Sequence, residues 1–240
     1  MGCTSGTKFD KRGCFGDCYA ARIAKIYGYD FNKTVFRNFK NELHIKQIKS
    51  QIDKINLPFV RMGTMGDPSE NWQHTINIIS KLQTDKQIKL FEYKCKNIVI
   101  ITKHWTNLTD DELMELCKYN VTINTSISAI DEIDILNNAI SQHNRIGNYI
   151  KCVLRMVTFD FNINNSKGIY YKKIQDNILQ QYPILDTVFR ASKNNKMVKD
   201  GVINTHKTKF LGKNALISKM NKKTYFGSCN NCLEMCGVNM

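Results

Sequence analysis

The sequence predicts an α/β architecture built on a parallel sheet, and three observations carry that expectation. From residue 58 onward, short runs of β-branched and apolar residues alternate with stretches whose apolar residues recur at helical spacing. The 240 residues, 42% of them hydrophobic and 10% aromatic, suffice for one full core and are too apolar for a disordered chain. The longest clean apolar run, Ile98-Val99-Ile100-Ile101, falls far short of the roughly 18 residues a membrane span needs.

The elements follow in order. Phe36, Phe39, Leu43, Ile48, Ile52 and Ile55 recur at helical spacing and predict an amphipathic helix over 36–56. Residues 58–62 read as a short buried strand that stops at Gly63, and Trp72, Ile76, Ile79 and Leu82 mark the next helix. Residues 97–102 form a β-branched strand. Thr109 with Glu112 is a capping box that opens a helix through Leu113, Leu116 and Cys117. The series continues with a strand over 121–127, a helix through Ile133, Leu136 and Ile140, and a strand over 149–158. A weaker helix about Ile174 and Ile178 precedes a last strand over 185–189. Such alternation fits an open doubly wound sheet or a barrel, and both bind ligands at the carboxyl ends of their strands. That directs attention to Gly63 to Asp67, Lys103 and His104, Ser126 and Ser128, Arg155, and Arg190. After Arg190 the periodicity fades, which divides the chain into residues 1–190 and a polar C-terminal extension, 191–240.

Charge is less informative. The formal net charge is +14, from 35 basic and 21 acidic residues. The 28 lysines outnumber seven arginines and accompany 26 asparagines and 28 isoleucines, a bias that AT-rich codon usage produces by itself. A solvated lysine coat and a polyanion-binding surface both fit, and no arginine cluster or aromatic-interleaved basic stripe stands out to decide. Nothing after Met1 has the apolar core of a signal peptide, so a cytoplasmic location with reduced thiols is expected.

Nine cysteines in a reducing compartment point to metal binding or chemistry. Cys95, Cys117 and Cys152 lack regular spacing and read as small core hydrophobes. Cys3, Cys14 and Cys18 surround a glycine-bearing loop, and Cys229, Cys232 and Cys236 form a Cys-x2-Cys-x3-Cys tail. Converging thiolates select an iron–sulfur cluster or zinc. For the terminal set both remain open; no histidine lies near either set to complete a zinc site.

The run Gly13-Cys14-Phe15-Gly16-Asp17-Cys18-Tyr19-Ala20, with Cys3 upstream, resembles the cluster loop of the radical SAM superfamily. In pattern it is most similar to phage-encoded three-cysteine proteins of that type, several of which also carry a cysteine tail. The resemblance covers most of residues 3–190 and implies a partial (β/α)6 barrel, with residues 58–62 onward as strands two to six. It implies a [4Fe-4S] cluster on Cys3, Cys14 and Cys18 whose open iron binds S-adenosylmethionine (SAM). One-electron reduction, from a donor such as flavodoxin or ferredoxin, then yields a 5′-deoxyadenosyl radical that abstracts a hydrogen atom from substrate. By the same resemblance, Gly63, Gly66 and Asp67 contact the SAM amino group. Ser126 and Ser128 meet the ribose or carboxylate, and Arg155 pairs with the carboxylate. The C-terminal cysteines would hold a second cluster or zinc. The spacing Cys-x10-Cys-x3-Cys is wider than the usual Cys-x3-Cys-x2-Cys, Asp17 replaces the usual aromatic, and a first strand has almost no room before Cys3.

Simpler roles stand beside these. Gly63 to Asp67 reads equally as a tight turn, and Ser126 and Ser128 as caps of the following helix. Lys103-His104 reads as a solvated loop pair, Trp72 and Trp105 as packing anchors, and His44, His74 and His143 as helix-surface residues. The competing function is a zinc-stabilised, non-catalytic nucleic-acid-binding protein; a radical enzyme acting on nucleic acid would combine the two.

Overall fold

The β-branched runs form the strands expected of them. The computed structural model of the chain describes residues 2–9, 18–83, 95–182, 185–189, 193 and 195–205, together with the backbone of 208–211, 215–218 and 225–227. Five strands lie in one parallel sheet: β1 (Phe59–Met62), β2 (Asn97–Thr102), β3 (Val121–Ser128), β4 (Cys152–Thr158) and β5 (Leu185–Val188). Their order in the sheet is their order in the chain. Ahead of them come α1 (Thr4–Phe9), α2 (Tyr19–Ile26) and α3 (Glu42–Lys54). Between them run α4 (Trp72–Leu82), α5 (Asp110–Leu116), α6 (Ile133–Gly147) and α7 (Ser166–Gln181).

A sheet that adds every strand on the same side through right-handed crossovers places all its crossover helices on one face. Accordingly, Ile98, Ile100 and Ile123 meet Ile76 and Ile79 of α4 and Leu113 and Leu116 of α5 in one core. Ile127, Leu154 and Met156 meet Leu136 of α6 and Ile178 of α7 in a second. A doubly wound sheet depends on a reversal of strand order, and this sheet has none. The opposite face begins apolar, where Phe59, Val99 and Ile101 pack together. Along β3 and β4 it turns polar: Thr122 and Asn124 are fully buried, and Ser126 and Arg155 stand side by side in register.

Helix ends are set by side chains. Thr109 and Glu112 make the expected capping box, and Asn41, Asn71 and Asn165 cap α3, α4 and α7. The Lys96 ammonium donates to the carbonyls of Ile52, Asp53 and Ile55, closing the C-terminal end of α3 against the start of β2.

Three expectations are corrected. The helix expected over 36–56 is α3 and starts at Glu42, because the Asn41 side chain accepts the His44 N–H and residues 34–40 have no regular structure. The fourth strand starts at Cys152, since Tyr149 and Ile150 bond back to Ile146 in the turn that ends α6. Beyond 190 the chain is more than a polar tail. There α8 (Lys196–Lys199) and Val202 and Ile203 join the second core. An antiparallel sheet of β6 (Thr208–Leu211), β7 (Ala215–Ser218) and β8 (Tyr225–Gly227) follows. By packing, therefore, the first unit extends past residue 190. Among the described residues, no helix is long and apolar enough to cross a membrane.

Candidate functional site

The loop after β1 is shaped by glycine. Gly63 adopts φ +102°, and a Cβ there would lie 2.3 Å from the Ile101 carbonyl oxygen, so the chain turns tightly over the end of β2. Asp67 closes the turn. One carboxylate oxygen accepts the Ser69 N–H and the Ser69 and Thr102 hydroxyls; the other accepts the Lys103 N–H at 2.7 Å. Burial raises this carboxyl above its ordinary value, against the pull of those four donors.

The N-terminal residues are strapped onto that loop by main-chain bonds. Gly2 donates its N–H to the Met65 carbonyl and pairs with Gly66 in an isolated parallel bridge. The approach is so close that a Cβ on Gly66 would lie 2.5 Å from the Gly2 oxygen. Cys3 donates its N–H to Phe31, and Thr4 and Thr34 exchange bonds between main chain and hydroxyl. Under the Cys3 sulfur, Gly6 leaves room: a Cβ there would sit 2.6 Å from Sγ.

These constraints bring together residues far apart in sequence. Cys3 and Cys18 line one cavity of about 210 Å³ with Gly63, Gly66, Asp67 and Ser126, and Trp105 and Phe31 complete its wall. The cavity opens at the carboxyl ends of β1, β2 and β3. Burial, with Asp67, Glu70 and Cys18 nearby, pushes the Cys3 thiol up to about 12, so its sulfur holds a proton at neutral pH unless a cation replaces it. A second cavity of about 370 Å³ shares Gly63, Thr64, Gly66 and Asp67 and is lined beyond them by Phe36, Arg37, Arg61 and His74.

The remaining candidates divide. Arg155 is half-buried and one strand over from Ser126, outside the cavity wall. Ser128 binds locally, donating to Asp131 and accepting from the Ile130 N–H; it does not cap α6, which starts at Ile133. Lys103 and His104 are not solvated. The Lys103 ammonium pairs with Asp131 at 2.6 Å, with side-chain exposures of 7% and 1%. His104 is buried, contacts Thr125 Oγ1 through Nε2 at 2.9 Å and lies by Trp72. Burial, then His143 and Arg145, lower its pKa to about 3. His74 turns from the surface toward Phe36 and the larger cavity. Trp72 is the expected anchor, donating to the Thr106 carbonyl, and Trp105 packs as well, against the cluster of Cys3, Ala20, Ala24 and Phe31, while lining the cysteine cavity. Cys117 and Cys152 pack against the first core, as small hydrophobes do.

Cys14, Arg190, Cys229, Cys232 and Cys236 lie outside the described residues. Among the described residues no three of His, Cys, Asp or Glu gather as a metal site. Two thiols facing one cavity are nevertheless a soft donor set suited to iron–sulfur or zinc. The roles of Trp105 and the Lys103–Asp131 pair had no signal in the sequence, because their partners are 28 or more residues away. Compared with protein-family models, curated proteins and solved structures, the chain matches none.

Proposed function

We propose that the chain is an iron–sulfur protein of radical SAM type, holding a [4Fe-4S] cluster on Cys3, Cys14 and Cys18 and binding SAM beside it. The observation that carries this reading is the meeting of Cys3 and Cys18 in one cavity with Gly63, Gly66 and Ser126 at the carboxyl ends of parallel strands. Sequential strand order with the crossover helices on one face supports the partial (β/α)6 barrel that the reading requires. A cluster held there would supply the one electron that reductive cleavage of SAM requires.

The chain's own residues hold and orient. The strap on Met65 and Phe31 delivers Cys3, and Gly63 and Gly66 keep side chains off the loop that would face the SAM amino group. Asp67 braces that loop from within, its oxygens engaged by Ser69, Thr102 and Lys103. Ser126 and Arg155, on one face of adjacent strands, offer a hydroxyl and a guanidinium to a carboxylate. Trp105 and Phe31 limit water at the sulfur. The C-terminal cysteines would hold a second cluster or zinc, and flavodoxin or ferredoxin would deliver electrons.

Anaerobic purification and reconstitution test the reading. Iron and sulfide with absorbance near 400 nm, and SAM cleavage under dithionite, are expected. Zinc without iron, or an iron-loaded protein inert toward SAM, would overturn it.

A further inference from the structure

We propose that residues 22–40, together with the larger cavity beside β1, form a docking surface for single-stranded nucleic acid. The segment carries five cations, Arg22, Lys25, Lys33, Arg37 and Lys40, against one acid, Asp30. All five are exposed, and among the described residues none makes an ion pair. Asp30 removes one unit of this charge but makes no ion pair with the five among the described residues, its carboxylate accepting the N–H and side-chain amide of Asn32. Exposed lysines elsewhere, such as Lys46 and Lys167, make no ion pair among the described residues either; what sets this segment apart is the rings between its cations.

Aromatic rings alternate with these charges. Tyr27 and Tyr29 are 71% and 49% exposed on either side of Gly28, whose φ of +71° turns the chain after α2. Phe36 is 44% exposed and meets His74 edge-on, with ring centroids 5.1 Å apart. Phe36 and Arg37 both line the 370 Å³ cavity, which Arg61 and His74 extend toward the Gly63–Asp67 loop. Exposed rings interleaved with unpaired cations bind a polynucleotide by stacking its bases and neutralising its phosphates. Stacking of this kind needs bases whose faces are open, which a duplex does not offer.

The surface is fastened to the cysteine site. Phe31 accepts the Cys3 N–H and Thr34 bonds Thr4, so the basic segment and the residues carrying Cys3 are one hydrogen-bonded unit. As the substrate class of that site the proposal rests on the reading above; as a binding surface it is measurable without it.

The test is fluorescence anisotropy on the purified full-length chain over a salt series, with iron assayed on the same sample. The probes are a labelled short oligodeoxynucleotide, its RNA counterpart and the DNA duplex. Single strands are expected to bind more tightly than duplex, and the stronger of DNA and RNA identifies the natural polymer. Phe36→Ala weakens binding about tenfold and Tyr27→Ala acts in the same direction. Arg37→Gln lowers the log–log salt slope by about 0.7, and Lys167→Gln, on exposed α7 surface, changes neither. These exposed positions leave the melting transition in place, so a loss of binding reports on the surface. Equal affinity for duplex, or an equal loss in Lys167→Gln, would overturn the proposal in favour of a generic cationic coat. Binding by a sample that takes up no iron on anaerobic reconstitution supports the surface while removing the cluster reading; iron uptake without binding does the reverse.

Discussion

His104 is held where a charged imidazole is unfavourable: it is 1% exposed and in the left-handed backbone region at φ 56°. Burial lowers its pKa from the usual 6.5 to about 3. Because the folded value lies below the unfolded one, the unfolded chain takes up the proton first. Stability therefore falls as pH drops through 6.5 toward 3, by about 2 kcal/mol at pH 5 relative to pH 7. Thermal melts at the two pH values should show this loss, and His104→Asn, which tolerates the same backbone, should reduce it. A wild-type pH dependence unchanged by His104→Asn would assign the effect to other groups. The residue before His104, Lys103, forms a buried pair with Asp131 whose charges answer each other. That leaves Lys103 a wall of the cysteine cavity rather than a free cation within it.

Among the elements, the N-terminal strap is the one on which the site depends and the core does not. It is fixed at Gly2–Met65, Gly2–Gly66 and Cys3–Phe31, all through main chain. Gly66→Ala would push a methyl group to 2.5 Å from the Gly2 oxygen and lift the strap. Iron uptake on reconstitution should then fall severalfold while the melting temperature shifts little; full iron uptake would show that the strap does not deliver Cys3. The strands were legible because β-branched runs such as Ile98-Val99-Ile100-Ile101 have one dominant conformation. The start of α3 was not, because Phe36 and Phe39 mimic helical spacing while Asn41 forms the cap that decides it. The strap was invisible for another reason: its bonds, main-chain at Gly2 and Cys3 and through the Thr4 and Thr34 hydroxyls beyond them, join residues 28 or more apart, and no local pattern records them.

For the molecule as a whole, the fold class and the gathering point of the site were readable, whereas the extent of the first unit was not. Val202 and Ile203 are buried in the second core, and the chain from Asp160 to Asn162 bonds to Val202 and Asn204. A chain ending at residue 190 should lose about 3–6 kcal/mol with these two side chains alone, and one ending at 205 should retain that contribution. Denaturation of the two truncations decides it; equal stability would return the boundary to 190. Of the net charge of +14, residues 22–40 carry +4, and Arg37 of that segment lines the cavity that shares Gly63, Gly66 and Asp67 with the cysteine cavity. Cys3 takes its position from Met65 and Phe31, not from its distance along the chain to Cys18. Thr4 and Gly6, which follow Cys3, belong to the same fastening, through Thr34 and under the Cys3 sulfur. The place of the Cys3 sulfur is thus a tertiary property, inherited through hydrogen bonds to distant chain, and a motif defined by cysteine spacing does not describe it.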